Sequence, residues 1–200
     1  MDVKLEKWHK CKVDIEVLKE LSKKSDLKGL QHISVFFGLL IITGLLAYIT
    51  WGTWWSVFWF LVYGNIYSFS NPLWHETGHK TAFKSKNLNE FFYYLSSFMA
   101  NFEPTRWRYS HFVHHGNTYS IENPFDHEIE YGNDLKETPK RLIINIIPFL
   151  DLVFIKKHIS FEIFQHAFGI KTKVMEDCIP ENAQAKAIFI SRIYVTIWSL

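Results

Sequence analysis

Cysteine is scarce in this sequence, and its charges are almost balanced. The two cysteines, Cys11 and Cys178, lie far apart and form no CxxC pair, which excludes a zinc ribbon and a redox motif. We expect any functional part on a reducing, cytoplasmic side. The formal net charge of +2 gives no electrostatic basis for binding nucleic acid. With 48% hydrophobic residues and only 9 glycines and 6 prolines, the chain is neither disordered nor collagen-like. Its 200 residues, 1–200, suffice for a single domain.

Charge is absent from one long stretch of the chain. Positions 32 to 75 form a run of 44 residues without Asp, Glu, Lys or Arg. As one continuous helix this run would be about 66 Å long, against a bilayer hydrocarbon core of about 30 Å. We therefore predict two membrane spans, at 30–49 and 54–73, separated by a turn at 50–53. The alternative is a soluble protein with a buried helical hairpin.

The distribution of lysine predicts the orientation. The first 28 residues contain eight lysines, whereas the turn between the predicted spans contains no Lys or Arg. By the positive-inside tendency, residues 1–29 form a cytoplasmic lead-in, and the hairpin returns the chain to the cytoplasm. Residues 74–182 are then cytoplasmic or interfacial, with short interfacial or re-entrant helices at 91–102 and 142–155. The apolar run at 183–200 is the start of a third span, so we expect a multi-pass protein of which this sequence is the N-terminal part.

The spacing of the histidines indicates metal chemistry. Five of the ten histidines lie in two clusters, HETGH at 75–79 and HFVHH at 111–115. On a helix, residues three or four apart share a face, with Cβ atoms about 5 to 6 Å apart, so each cluster can present imidazoles to one ion. Clusters of imidazoles favour zinc or iron over calcium or magnesium. The candidate metal ligands are His75, His79, His111, His114 and His115.

Three interpretations of these clusters remain open. The first cluster matches the HExxH pattern of zinc proteases, in which His75 and His79 bind zinc and Glu76 activates water. That site needs one further ligand and leaves most of the second cluster unused. The second interpretation is a site for two metal ions, because five histidines fit two ions better than one. The third interpretation is a membrane protein with incidental histidines and no catalytic metal.

Extended to HETGHK at 75–80 and RYSHFVHH at 108–115, the clusters resemble the first and second histidine boxes, HxxxH and HxxHH, of the integral-membrane fatty acid desaturases and their hydroxylase relatives. The order of the boxes, their interval and the preceding membrane hairpin agree with that family over roughly residues 30–200. The resemblance implies an all-α membrane fold with a cytoplasmic helical cap that carries the boxes. It also implies that the five histidines hold two iron ions that activate dioxygen. The family's third box is not in this sequence, and we expect it beyond residue 200.

The resemblance also implies a reaction and partners. The expected function is insertion of a double bond into the acyl chain of an acyl-lipid or acyl-CoA, with O2 and external electrons. An alkane or lipid hydroxylase, which uses the same ligands, is the alternative, whereas the HxxHH form of the second box favours a desaturase. No haem-binding or flavin-binding motif occurs, so electrons are expected from a separate ferredoxin-type or cytochrome-type donor. The other expected partners are the lipid bilayer and the acyl substrate.

Four residues near the boxes have two interpretations each. In the di-iron interpretation Glu76 is favoured as the partner that orients a ligating imidazole, rather than as a protease base. Arg106 and Arg108 could meet the head group of an acyl substrate, but anionic lipid or solvent is the favoured partner. His127 could be an extra ligand, but a turn or surface histidine is favoured.

Overall fold

The computed structural model of the protein describes residues 12–116, 127–128 and 159–200. All regular secondary structure in these ranges is helical, which confirms the predicted all-α class. The helices are α1 (Ile15–Leu21), α2 (Asp26–Ile49), α3 (Trp54–Tyr67), α4 (Ser70–Gly78), α5 (Lys86–Met99), α6 (Pro104–Gly116), α7 (Ile159–Ala167), α8 (Lys173–Cys178) and α9 (Glu181–Trp198).

A helical hairpin, α2 and α3, opens the fold. α2 begins after Ser25, whose hydroxyl accepts a hydrogen bond from the Lys28 N–H at 3.4 Å and so caps the first turn. The connection to α3 occupies residues 50–53, the position of the predicted turn. Gly52 adopts φ +84° there, a conformation that glycine reaches without steric cost. The two helices then pack against each other.

The span expected at 54–73 is not a single helix. α3 ends after 14 residues, and α4 begins after a two-residue break. Pro72 explains the break, because it lacks the N–H that would donate to the Ser68 carbonyl in a continuous helix. That carbonyl accepts instead from the Asn71 N–H at 3.1 Å. Proline is tolerated in the first turn of α4, where the backbone N–H that it lacks would have no partner within the helix.

Within the described ranges, α2 alone is long and apolar enough to cross a membrane. Its 24 residues extend about 36 Å, more than the hydrocarbon core of about 30 Å, whereas α3 extends only about 21 Å. The third span expected at 183–200 coincides with α9, which contains Glu181, Lys186 and Arg192 and packs against α7. The described helices therefore do not support a multi-pass topology. α5 covers most of the stretch expected to be interfacial at 91–102, whereas 142–155 lies outside the described residues.

Contacts from the start of α2 hold the loop between α4 and α5. Lys24 Nζ donates to the Lys80 carbonyl at 2.8 Å, and the Asp26 carboxylate accepts from the Ser85 N–H at 2.7 Å. A Cβ added to Gly29 would come within 2.6 Å of the backbone of this loop, so the approach of α2 depends on the missing side chain. The C-terminal end of α4 is thereby fixed beside the N-terminal end of α2.

Aromatic side chains join α4, α5 and α6. Trp74, Tyr93 and Trp107, one from each helix, are buried against one another. Phe102 stacks on Trp107 with ring centroids 4.2 Å apart, and the Tyr93 hydroxyl donates to the Pro104 carbonyl at 2.7 Å. This core fixes α4 and α6 relative to each other, and these are the two helices that carry the histidine clusters.

Candidate metal centre

Helices α4 and α6 bring the two histidine clusters together. His75 lies in the last turns of α4, and His79 is the C-terminal cap of the same helix, with its N–H bonded to the His75 carbonyl at 3.0 Å. His111 and His115 are four residues apart in α6 and therefore share a face. Because the aromatic core holds both helices against α5, these two faces meet.

Four imidazoles converge at this meeting point. Nε2 of His79 lies 3.2 Å from Nε2 of His111 and 3.1 Å from Nε2 of His115, and the last two atoms are 3.1 Å apart. With a nitrogen of His75 included, the four ligand atoms all lie within 4.8 Å of one another. Nitrogens that share one ion at about 2.0 to 2.2 Å lie about 3.0 to 3.6 Å apart. The spacing therefore fits the ligands of a single metal ion.

The protonation of these imidazoles favours a cation between them. Burial lowers the pKa of His75, His79 and His115, and neighbouring imidazoles lower it further. At neutral pH these rings are therefore neutral, which is the form that binds metal. Neutral imidazoles that turn their Nε2 lone pairs toward one another repel unless a proton or a metal ion lies between them. The donor set thus fits a bound metal ion.

An aromatic wall, formed by Trp74, Tyr93 and Trp107, backs the four imidazoles. The Trp74 ring centroid is 5.1 Å from that of His111 and 5.5 Å from that of Trp107. Gly78 lets α4 approach this wall closely, since a Cβ there would lie 3.0 Å from the Tyr93 ring. All three aromatic side chains are buried, so the wall keeps water from the inner side of the site.

His114 lies outside the group of four. Its ring centroid is 5.9 Å from that of His111 and 5.7 Å from that of His115. Its nitrogens are not among those that converge, because consecutive residues of a helix point about 100° apart. The structure therefore brings together four of the five predicted ligands, and a ligand role for His114 stays a prediction.

Comparison with known proteins assigns this arrangement to a family. The sequence profile of the family described as fatty acid desaturase matches residues 49–196, which include both histidine clusters. The chain belongs to the fatty acid desaturase family. No curated protein and no solved structure matches it. This assignment confirms the resemblance drawn from the histidine boxes and sets aside the zinc-protease interpretation.

In this desaturase family member, the acidic partner of a ligand is not the residue that the sequence suggested. Within the described residues, the Glu76 carboxylate accepts from the Thr81 hydroxyl rather than from an imidazole of the metal group. Glu128 instead places Oε2 2.8 Å from Nδ1 of His111. Sequence reasoning missed Glu128, since it lies 17 residues from His111 and no periodic pattern relates the two.

Both arginines that flank Trp107, Arg106 and Arg108, form ion pairs. Arg106, with a side chain only 6% exposed, donates through Nε to Glu162 at 2.9 Å. Arg108 donates through Nη2 to Glu90 at 3.0 Å. The expectation that these arginines face lipid or solvent is therefore wrong for Arg106, which is buried beside Glu162 of α7, whereas Arg108 stays partly exposed beside Glu90 of α5.

His127 pairs with an acidic residue instead of joining the metal group. Its Nε2 lies 2.9 Å from Oδ2 of Asp177, at the end of α8. The favoured interpretation of this histidine, as a residue outside the ligand set, agrees with the contact.

Proposed function

We propose that this fatty acid desaturase family member is a membrane-bound di-iron enzyme that inserts a double bond into an acyl chain. The substrate is an acyl-lipid or an acyl-CoA, the oxidant is O2, and the electrons come from a separate ferredoxin-type or cytochrome-type donor. The observation that carries the proposal is the convergence of four imidazoles from the two histidine boxes, within the region that the family profile matches.

In this proposal the histidines hold the iron. His75, His79, His111 and His115 would hold one ion, since their ligand atoms already lie together. His114, beside this group, would hold a second ion with ligands outside the described residues. Imidazole is a preferred ligand of iron in proteins. When bound, the iron supplies the activation of O2 that removal of hydrogen from an unactivated C–H bond requires.

The chain's own residues prepare the site for this chemistry. The lowered pKa values of His75, His79 and His115 keep these rings neutral and able to bind metal. The aromatic wall excludes water from the inner side, which limits side reactions of a strongly oxidising centre. Both effects arise from burial.

We further propose that the site lies at the cytoplasmic face of the membrane. Lys24 and Asp26 hold the loop after α4 beside the N-terminal end of α2, so the metal group and this helix end lie on one side. Lysines are concentrated before the same helix end, which favours the cytoplasmic side. In this position an acyl chain can reach the site from the bilayer, and a soluble electron donor can reach it from the water.

A hydroxylase of the same superfamily is the second candidate. The first box has the pattern His-Glu-x-Gly-His-Lys at 75–80, which also resembles the alkane hydroxylases. Both enzymes use the same ligands and begin with the same loss of hydrogen. Loss of a second hydrogen gives an alkene, whereas insertion of oxygen gives an alcohol, so analysis of the product distinguishes them.

The test combines metal content with lipid analysis. The protein is expressed in cells and purified in detergent, and we expect about two irons per chain and new double bonds in the cellular acyl chains. His79→Ala should lose the ion of the four-imidazole group and all product. His114→Ala should also lose product and one iron without loss of helical content. His32→Ala, an exposed histidine near the start of α2, is the matched control and should keep iron and product.

Each result bears on the proposal. Zinc as the only bound metal, or full iron and product in His79→Ala, would contradict it. New alcohols in place of double bonds would favour the hydroxylase.

A further inference from the structure

His111 uses its two ring nitrogens differently. Nε2 faces the Nε2 atoms of His79 and His115, whereas Nδ1 lies 2.8 Å from Oε2 of Glu128. The side chains of His111 and Glu128 are only 14% and 11% exposed, so water competes little for this hydrogen bond. An ionised carboxylate accepts and cannot donate, so Nδ1 carries the hydrogen and Nε2 presents its lone pair. The bond thus selects the tautomer that binds metal through Nε2.

A chain of hydrogen bonds holds Glu128 in place. Its Oε1 accepts from the Ser110 hydroxyl at 3.1 Å, and the oxygen of Ser110 accepts from Nη1 of Arg106 at 3.0 Å. Arg106 in turn donates through Nε to Glu162 in α7 at 2.9 Å. Arg106 and Ser110 are both buried and lie one turn apart in α6. A continuous polar path therefore runs from α7 to the imidazole of His111.

We propose that Glu128 is a positioning residue of the metal centre, which fixes the tautomer and orientation of His111 and is itself held by Ser110, Arg106 and Glu162. The inference rests on the metal site of the proposed function and goes beyond it, because neither the histidine boxes nor the family match assigns a role to Glu128. A carboxylate that accepts from a ligating imidazole also makes its metal-binding nitrogen more basic. Glu128 therefore raises the affinity of the centre without touching the ion.

Binding of Co²⁺ to the metal-free protein in detergent tests the proposal, because the visible absorption of Co²⁺ reports its nitrogen ligands. Glu128→Gln should weaken Co²⁺ binding by about 10-fold to 100-fold. Its amide has nearly the same size as the carboxylate, but its NH2 group can donate to Nδ1 and so favour the opposite tautomer. Glu128→Asp keeps a carboxylate on a shorter side chain and should recover part of the affinity.

Glu76→Gln is the matched control. Like Glu128→Gln, it removes one negative charge beside a ligand, in this case His75. The Glu76 carboxylate accepts from Thr81. The Co²⁺ affinity of Glu76→Gln should therefore remain close to that of the unsubstituted protein, and an equal loss in both variants would overturn the proposal by showing that net charge alone sets the affinity.

A double-mutant cycle separates positioning from folding. If Glu128 acts through His111, Glu128→Gln causes no further loss of Co²⁺ affinity in protein that already carries His111→Ala. The same loss in both backgrounds, or undiminished affinity in Glu128→Gln alone, would overturn the proposal. Failure of the unsubstituted protein to bind Co²⁺ would contradict the metal centre itself, so the two failures are distinguishable.

Discussion

Helices α2 and α6 show opposite relations between polarity and burial. From residue 32 onward α2 has no charged side chain, yet it leaves large apolar residues exposed, among them Ile41 at 62%. α6 contains many polar residues and buries several of them, including Arg106 and Ser110. An isolated helix satisfies its own backbone and can place apolar side chains in lipid, whereas each buried polar group needs a partner. The comparison separates a helix whose exposed apolar surface suits a bilayer from a helix that depends on internal hydrogen bonds.

Removing a buried polar side chain of α6 should have the largest effect on stability. Arg106→Met leaves the carboxylate of Glu162 without its cation and removes the donor to Ser110. We expect the free energy of unfolding to fall by about 3 to 5 kcal/mol, measured by chemical denaturation of the detergent-solubilised protein with circular dichroism as the signal.

The control replaces both charges. Arg106→Met combined with Glu162→Leu should restore most of the stability, because an apolar pair of similar volume leaves no charge uncompensated. A loss below about 1 kcal/mol for Arg106→Met alone is the range of an exposed ion pair. Such a result would show that the stability of the buried part of α6 does not depend on the contact between Arg106 and Glu162.

A charge on the exposed face of α2 tests the other half of the comparison. Ile41→Lys places an ammonium group near the middle of the apolar helix, where insertion into a bilayer costs about 2.5 to 3.5 kcal/mol. We expect a smaller fraction of protein to resist extraction from membranes by alkaline carbonate. Ile41→Leu is the control and should not change that fraction. In water an exposed Ile41→Lys would be nearly neutral, within about 0.5 kcal/mol, so an unchanged fraction would favour the soluble interpretation.

Features that depend on neighbours in sequence were predictable. His75 and His79, like His111 and His115, are four residues apart, so the shared face of each pair follows from helical spacing alone. The charge-free run similarly predicts α2, because a long apolar composition alone is enough to indicate such a helix. Pro72 also marks the break between α3 and α4, but the length of the apolar run suggested one span through it.

Features that depend on tertiary packing were not predictable. Glu128 and Glu162 lie 17 and 56 residues from the groups that they bind, His111 and Arg106. An arginine beside a tryptophan near a membrane is typical of an interface with lipid head groups, and only the folded structure, in which Glu162 of α7 contacts Arg106, shows that this side chain is buried. The pairing of the two histidine faces was inferred from the family, because spacing cannot place α4 against α6.

Glu103, a buried carboxyl directly before α6, allows the buried polar groups of this region to be tested through pH. Its carboxyl accepts from the Thr105 N–H at 3.0 Å and from the Arg106 N–H, but burial outweighs these bonds and raises its pKa to about 7. The folded state therefore binds the proton more tightly than the unfolded chain, in which the pKa is near 4.5. As pH rises from about 4.5 to about 7, the free energy of unfolding should fall, by roughly 2 to 3 kcal/mol from this residue.

Denaturation across this pH range, with and without Glu103→Gln, measures the effect. The variant should lose stability less steeply, because its amide does not titrate. Histidines titrate in the same range in both proteins, so the difference between the two slopes isolates Glu103. Equal slopes would mean that Glu103 binds no additional proton on folding and that α6 tolerates a buried charge at its start.

The partly exposed ion pair of α6, Arg108 with Glu90, should give the smallest effect. Arg108 donates to Glu90 at 3.0 Å, as Arg106 does to Glu162 at 2.9 Å, but the side chains of Arg108 and Glu90 are 34% and 36% exposed. Arg108→Met should therefore lower the free energy of unfolding by about 1 kcal/mol or less, and by less still in high salt, which screens exposed charges.

Arg106 and Arg108 lie two residues apart in the same helix, and each pairs with one glutamate. They differ in burial and in the additional hydrogen bond from Arg106 to Ser110. The same denaturation measurement on Arg106→Met and Arg108→Met, at low and high salt, therefore compares a buried ion pair with a partly exposed one. Equal losses that respond equally to salt would remove the distinction. A larger, salt-insensitive loss for Arg106→Met would show that desolvation makes the buried polar residues of α6 dependent on their hydrogen-bond partners, a requirement that the apolar side chains of α2 do not have.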